Sequence, residues 1–122
     1  MTRINAAIKP YELPDKLLLA ELREIKRIPN SIHKAKVEGI PTEFKLGTGH
    51  VKFFYDKGQY TLDRYLILRE EALKRQFNVQ DFSEAWDSYP KELMNDWKET
   101  PEARDIIIDR INERGFNLIA KD

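Results

Sequence analysis

Leu46-Gly47-Thr48-Gly49-His50-Val51-Lys52-Phe53-Phe54-Tyr55-Asp56-Lys57 decides the fold class of this 122-residue chain. By propensity alone its valine and aromatic residues could form a strand. Two glycines within three residues argue instead for a tight, irregular backbone. That backbone leads into core aromatics: Phe53, Phe54 and Tyr55, with Phe77 further on. With this stretch read as a connection, the regular elements that remain are helical, and the chain reads as an all-α, mainly helical domain.

Upstream, Leu13-Pro14-Asp15 opens a helix, with proline in a first-turn position, that runs to about Ile28. Leu18, Leu22 and Ile25 fall at helical spacing and form its apolar stripe, and Pro29-Asn30 stops it. Residues 1–13 read as an arm ending in turn residues. Residues 31–38 are expected to form a short basic helix carrying Lys34 and Lys36, before a loop at Glu38-Gly39-Ile40-Pro41. Downstream, Thr61 is a good N-cap for a long helix through about Gln76. Leu62, Tyr65, Leu66, Leu68, Ala72 and Leu73 give that helix a broad apolar face. Ser83 to Trp86 and Lys91 to Trp97 read as short helices divided by Tyr89-Pro90. Thr100-Pro101-Glu102 starts the last helix with a cap, a proline and an acid. Ile106, Ile107 and Ile111 supply its buried stripe, and Gly115 is placed to end it. The expectation is one compact domain over residues 1–122, a bundle of about three main helices with short helices and irregular loops.

Composition narrows the function. At 41% hydrophobic and 34% charged the chain is an ordinary globular one. No apolar run approaches the roughly 18–20 residues that span a bilayer, so no membrane partner is expected. The start, Met1-Thr2-Arg3-Ile4-Asn5, lacks an apolar signal region, which predicts a cytoplasmic location. With no cysteine, disulfides and thiolate chemistry are excluded. Two separated histidines, His33 and His50, make a zinc site an unpromising reading. Gly47-x-Gly49 lacks the strand-turn-helix setting of a dinucleotide fingerprint. Net charge is zero but segregated: residues 1–80 hold 15 Lys and Arg against 10 Asp and Glu, and residues 81–122 hold 6 against 11. Any anion-binding surface is therefore expected in the first two thirds, with the acidic final third repelling DNA or facing away from it.

Two segments go further. One is Met1-Thr2-Arg3-Ile4-Asn5 followed by Ala20-Glu21-Leu22-Arg23-Glu24-Ile25-Lys26-Arg27. The other is the opening block, continued to Leu73-Lys74-Arg75-Gln76-Phe77-Asn78-Val79. In order and detail they resemble the pyrimidine-dimer DNA glycosylase (endonuclease V) family of phages, over most of residues 1–80. The resemblance implies an endonuclease V-like fold and a DNA glycosylase with abasic-site lyase activity. The nucleophile would be the α-amine of Thr2, exposed once Met1 is removed. An α-amine has a pKa of about 7.7–8.0 against about 10.4 for lysine, so far more of it is neutral at pH 7. The resemblance makes Glu24 the catalytic acid/base, and Arg3, Arg23 and Arg27 the grip on phosphates. His50 is a further candidate for substrate contact, although a histidine in such a setting can equally be a satisfied packing residue. DNA, damaged or abasic, would be the partner, in the host cytoplasm for a phage-encoded chain. No metal or organic cofactor is implied, and the oligomeric state is left open.

Read without the family, Arg23, Glu24 and Arg27 at i, i+1 and i+4 also fit an exposed helix face with a Glu24–Arg27 ion pair. The chain departs from the family pattern at Leu17, where a histidine is typical, and its last residues lack the family's aromatic, basic tail. These departures keep an alternative open: a non-catalytic phage protein that reuses the scaffold to bind or sequester a nucleotide-like ligand, or to bind a partner protein.

Overall fold

The computed structural model describes residues 4–32 and 39–120. Among these residues four α-helices form: α1 (Asp15–Ile25), α2 (Arg27–Ile32), α3 (Gly58–Lys74) and α4 (Pro101–Glu113). Among the described residues no strand forms, and a single antiparallel bridge joins Lys57 to Met94. The all-α reading therefore holds, with α1, α3 and α4 as the three main helices. No helix among the described residues is long and apolar enough to cross a membrane.

Helix α1 packs on α3, burying Leu18, Leu22 and Ile25 as its spacing predicts. The helix expected to reach Ile28 is split at Lys26, and α2 takes over at Arg27. Pro29 does not stop the chain. It is the third residue of α2, where a backbone N–H would have no acceptor within the helix, so its absence costs nothing. Ser31 and Ile32 close α2, and the rest of the basic helix expected over 31–38, His33 included, lies outside the described residues.

Helix α3 begins at Gly58, three residues before the expected cap. A Cβ at Gly58 would come within 2.5 Å of Met94 Sδ and 2.7 Å of the Tyr89 ring, so only glycine fits there. Thr61 is buried inside the helix. Its hydroxyl donates to Gly58 O and accepts from the Trp86 indole at 3.0 Å. The broad apolar face is narrower than expected: Tyr65, Leu68 and Ala72 are buried, whereas Leu66 and Leu73 are exposed. In α4 the Thr100 hydroxyl caps Ala103 N–H as expected. Ile107 and Ile111 enter the core while Ile106 stays outside, and Gly115 takes a positive φ just past the end.

Between α2 and α3 the Gly-rich stretch is irregular. Gly47 and Gly49 both adopt positive φ, and a short 3-10 turn follows at Lys52–Phe54. Phe53 and Phe54 sit edge to face at 5.1 Å. Trp97 stacks on Phe44 and meets Tyr60 edge-on at 5.1 Å. The helix expected over Lys91–Trp97 shrinks to a turn at Lys91–Leu93, and Trp97 instead serves as a plug on this aromatic cluster.

The arm is the main departure from the sequence reading. Ile4, Ala6 and Ile8 are fully buried in the core. The segment makes a turn at Asn5–Ile8, with Ile8 N–H donating to Asn5 O and Ala7 at φ +67°. It pairs with no strand among the described residues, so side chains satisfy much of its remaining backbone. Ile4 N–H donates to His50 Nε2. Ala7 N–H donates to Glu99, and Ala7 O accepts from Arg104. Asn5 O and Ile8 O both accept from Arg64. Arg64 is itself buried against Glu21, with Nε–Oε2 at 2.8 Å, and Glu21 accepts from the Asn5 amide. Glu99 and Arg104 belong to the acidic final third, which thus locks the arm in place. Arg104 also pairs with Glu12 at 2.7 Å, and that hydrogen bond holds the Glu12 carboxyl below the ordinary glutamate value.

Candidate active site

Along one face of α1, Lys16, Leu17, Ala20, Arg23 and Glu24 line a cavity of about 250 Å³. The arm contributes Asn5 to its wall, and the end of α4 contributes Arg110, Arg114 and Phe116. The α1 residues share a face because they recur at three and four positions. Asn5 is there because the Glu21–Arg64 pair holds it by both side chain and backbone.

The electrostatics favour an anion. Lys16, Arg23, Arg110 and Arg114 surround the cavity. Of its two carboxylates, Glu21 is neutralised by Arg64, while Glu24 pairs with Arg27 at 3.2 Å. The Arg27 side chain is 67% exposed and Glu24 only 17%. Such a pair is weak, worth about 0–1 kcal/mol, so an incoming group can displace Arg27 from the carboxylate. Leu17, at the place where the resemblance leads one to expect a histidine, puts an apolar wall in its stead.

The structure thus brings Arg23 and Glu24 together in one cavity and leaves Arg27 beside Glu24 on the exposed side. Thr2 and Arg3 lie outside the described residues. His50 does not line the cavity. It is 2% exposed, with Nδ1 2.9 Å from Lys45 O and Nε2 accepting from Ile4 N–H. Neither ring nitrogen is left for a ligand, because both are spent on backbone. The Phe44 and Phe54 rings meet the imidazole edge-on, and burial pushes it below the ordinary histidine value.

Sequence reasoning missed Arg110 and Arg114, which the acidic composition of residues 81–122 masked. Their four-residue spacing at the end of α4 was the available signal, since it puts both on one helix face. A second, more open cavity of about 290 Å³ lies on the other side of Arg23. It is mostly apolar, with Leu22, Tyr65, Val79 and Phe82 in its wall and Lys26 Nζ 4.2 Å above the Phe82 ring.

The fold and site define a helical domain in which a buried N-terminal arm meets a carboxylate and a ring of cations beside the first helix. Residues 1–85 match the model of the pyrimidine dimer DNA glycosylase family, and the chain belongs to that family. Membership implies pyrimidine dimers in DNA as the substrate class. The match ends before α4, so Arg110 and Arg114 lie beyond it.

Proposed function

We propose that this chain is a DNA glycosylase with abasic-site lyase activity, working through its own N-terminal amine. In this reading Thr2, freed of Met1, presents a neutral α-amine to the sugar C1′ of a damaged nucleotide. The amine forms the C–N bond as the base leaves with the glycosidic electron pair. Loss of a proton from nitrogen and opening of the sugar ring give a Schiff base. Removal of a C2′ proton then expels the 3′ phosphate by β-elimination. Glu24 stabilises the positive charge developing on the sugar and carries protons between these steps. Arg3, Arg23, Arg27, Arg110 and Arg114 engage phosphates around the opened nucleotide.

One observation carries the reading: Asn5, three residues after Thr2, and Glu24 line the same basic cavity. Covalent geometry alone keeps Thr2 within about 11 Å of Asn5, Cα to Cα. That tether keeps a Thr2 amine close to the cavity that Glu24 lines, which supports the reading. The test is the rate of strand cleavage at a pyrimidine dimer and at an abasic site, for protein whose first residue is Thr2. Cleavage by that form, abolished when Met1 is retained, supports the reading. Equal activity of both forms overturns it.

A second reading is a non-catalytic binder of a nucleotide-like ligand. The apolar Leu17 wall and the modest cavity, ringed by Lys16, Arg23, Arg110 and Arg114, favour it. It would be distinguished by a raised melting temperature with mono- or dinucleotides, in protein that neither cleaves nor traps abasic DNA.

A further inference from the structure

The Gly47-Thr48-Gly49-His50 segment has a built geometry that the chemistry proposed above does not use. The positive φ of Gly47 and Gly49 turns the backbone so that Lys45 O comes back to within 2.9 Å of His50 Nδ1. A carbonyl oxygen only accepts, so Nδ1 carries the ring proton. Nε2 is then left with a lone pair, aimed at Ile4 N–H at 3.1 Å. His50 is buried between Phe44 and Phe54 and cannot swing to another partner. Ile4 is itself fully buried. The amide of Ile4, two residues after Thr2, is thus one of the points at which the arm is fixed to the rest of the fold, beside Asn5, Ala7 and Ile8.

We infer that His50 is a positioning residue for the N-terminal nucleophile: its Nε2 lone pair anchors the Ile4 amide and so fixes where the amine two residues earlier can reach. This rests on the proposed amine chemistry. It also gives the Gly-x-Gly-His motif a physical purpose, since the glycines set the tautomer of the side chain that holds the Ile4 amide. A displacement of about 1 Å at a reacting atom can cost on the order of a hundredfold in rate. DNA binding would feel that displacement only through Arg3, one of the five arginines proposed to engage phosphates, so Kd should change far less than the rate.

Two isosteric variants separate positioning from folding. His50→Gln puts an amide oxygen near the place of Nε2 and keeps an acceptor for Ile4 N–H. His50→Asn keeps a donor to Lys45 O but offers Ile4 nothing. In single-turnover borohydride trapping on abasic-site DNA, His50→Asn is expected to lose at least tenfold in rate with Kd within about twofold of the parent. His50→Gln is expected to retain most of the rate. Hydrogen exchange gives an activity-independent readout, with the Ile4 amide losing protection in His50→Asn and keeping it in His50→Gln. Equal rates in the two variants, or a loss confined to Kd, would overturn the positioning role. Unchanged Ile4 protection in His50→Asn would overturn the anchor itself. If the parent protein starting at Thr2 fails to trap at all, the proposed chemistry falls and His50's role toward the amine falls with it, while the exchange result still decides the anchor.

Discussion

Replacing Arg64 by methionine should unfold this domain more readily than any surface change, and a second substitution should partly repair it. Arg64 makes four hydrogen bonds: two to Glu21 at 2.8 and 3.0 Å, one to Ile8 O at 2.6 Å and one to Asn5 O at 2.8 Å. Its side chain is 2% exposed and that of Glu21 is 0% exposed, so solvent cannot replace what is lost. In Arg64→Met the Glu21 carboxylate keeps only the Asn5 amide at 3.1 Å, and two arm carbonyls lose their donor. Removing one partner of a buried pair costs about 3–5 kcal/mol, because the other charge is stranded. For a domain of this size that corresponds to a drop of roughly 12–20 °C in Tm. Converting the stranded charge to an amide in Glu21→Gln/Arg64→Met removes the main penalty. The double variant should therefore recover about 2 kcal/mol over Arg64→Met alone, a non-additivity of the size expected for contacting groups. Urea denaturation of the parent, both single variants and the double variant closes the cycle. A loss below about 1.5 kcal/mol in Arg64→Met, or further destabilisation on adding Glu21→Gln, would refute the claim that a desolvated ion pair holds the arm.

Glu24→Gln should cut glycosylase and lyase rates by about 10²–10⁴-fold and change Tm little, since its ion pair with Arg27 is exposed on the arginine side; a rate within tenfold of the parent would remove Glu24 from the chemistry. Acid should destabilise the fold through His50: burial lowers its folded pKa below the unfolded value near 6.5, so the unfolded state binds the extra proton. That contribution is complete above about pH 6.5 and is lost as pH falls below it, and denaturation curves at pH 7.5 and 5.5 should lose part of their difference in His50→Gln. Gly49→Ala should cost about 1–3 kcal/mol, because φ at Gly49 is +91° and a Cβ would lie 3.3 Å from the Pro41 ring and 2.7 Å from the Lys45 side chain; a midpoint equal to the parent's would show that the loop relaxes freely.

Helix positions were legible in the sequence wherever periodicity and caps agreed. Leu18, Leu22 and Ile25 in α1, and Thr100 with Ile107 and Ile111 in α4, follow from spacing alone. Boundaries failed where tertiary packing outweighed local signals. Thr61 has the chemistry of a cap, but the helix begins three residues earlier, at Gly58 packed against Tyr89 and Met94, and Thr61 lies inside it with its hydroxyl bonded to the Trp86 indole. The arm was the deeper miss. Ile4, Ala6 and Ile8 alternate as a buried strand does, yet the segment turns at Asn5–Ile8 and has no partner strand among the described residues. Much of its backbone is satisfied by His50, Arg64, Glu99 and Arg104 from distant parts of the chain. No local pattern announces such long-range bonds. Of the site, Arg23 and Glu24 were readable from α1. Arg110 and Arg114 were hidden in an acidic segment whose net charge says nothing about which face each residue occupies.

The proposed nucleophile is the α-amine of the chain's own N-terminus. Protein beginning at Thr2 should be mixed with abasic-site DNA and sodium borohydride, and the reduced adduct digested and mapped by mass spectrometry. The expected result is a covalent protein–DNA product with the modification on the Thr2 α-nitrogen, and none when Met1 is retained. No adduct, or an adduct on a lysine side chain, would contradict it.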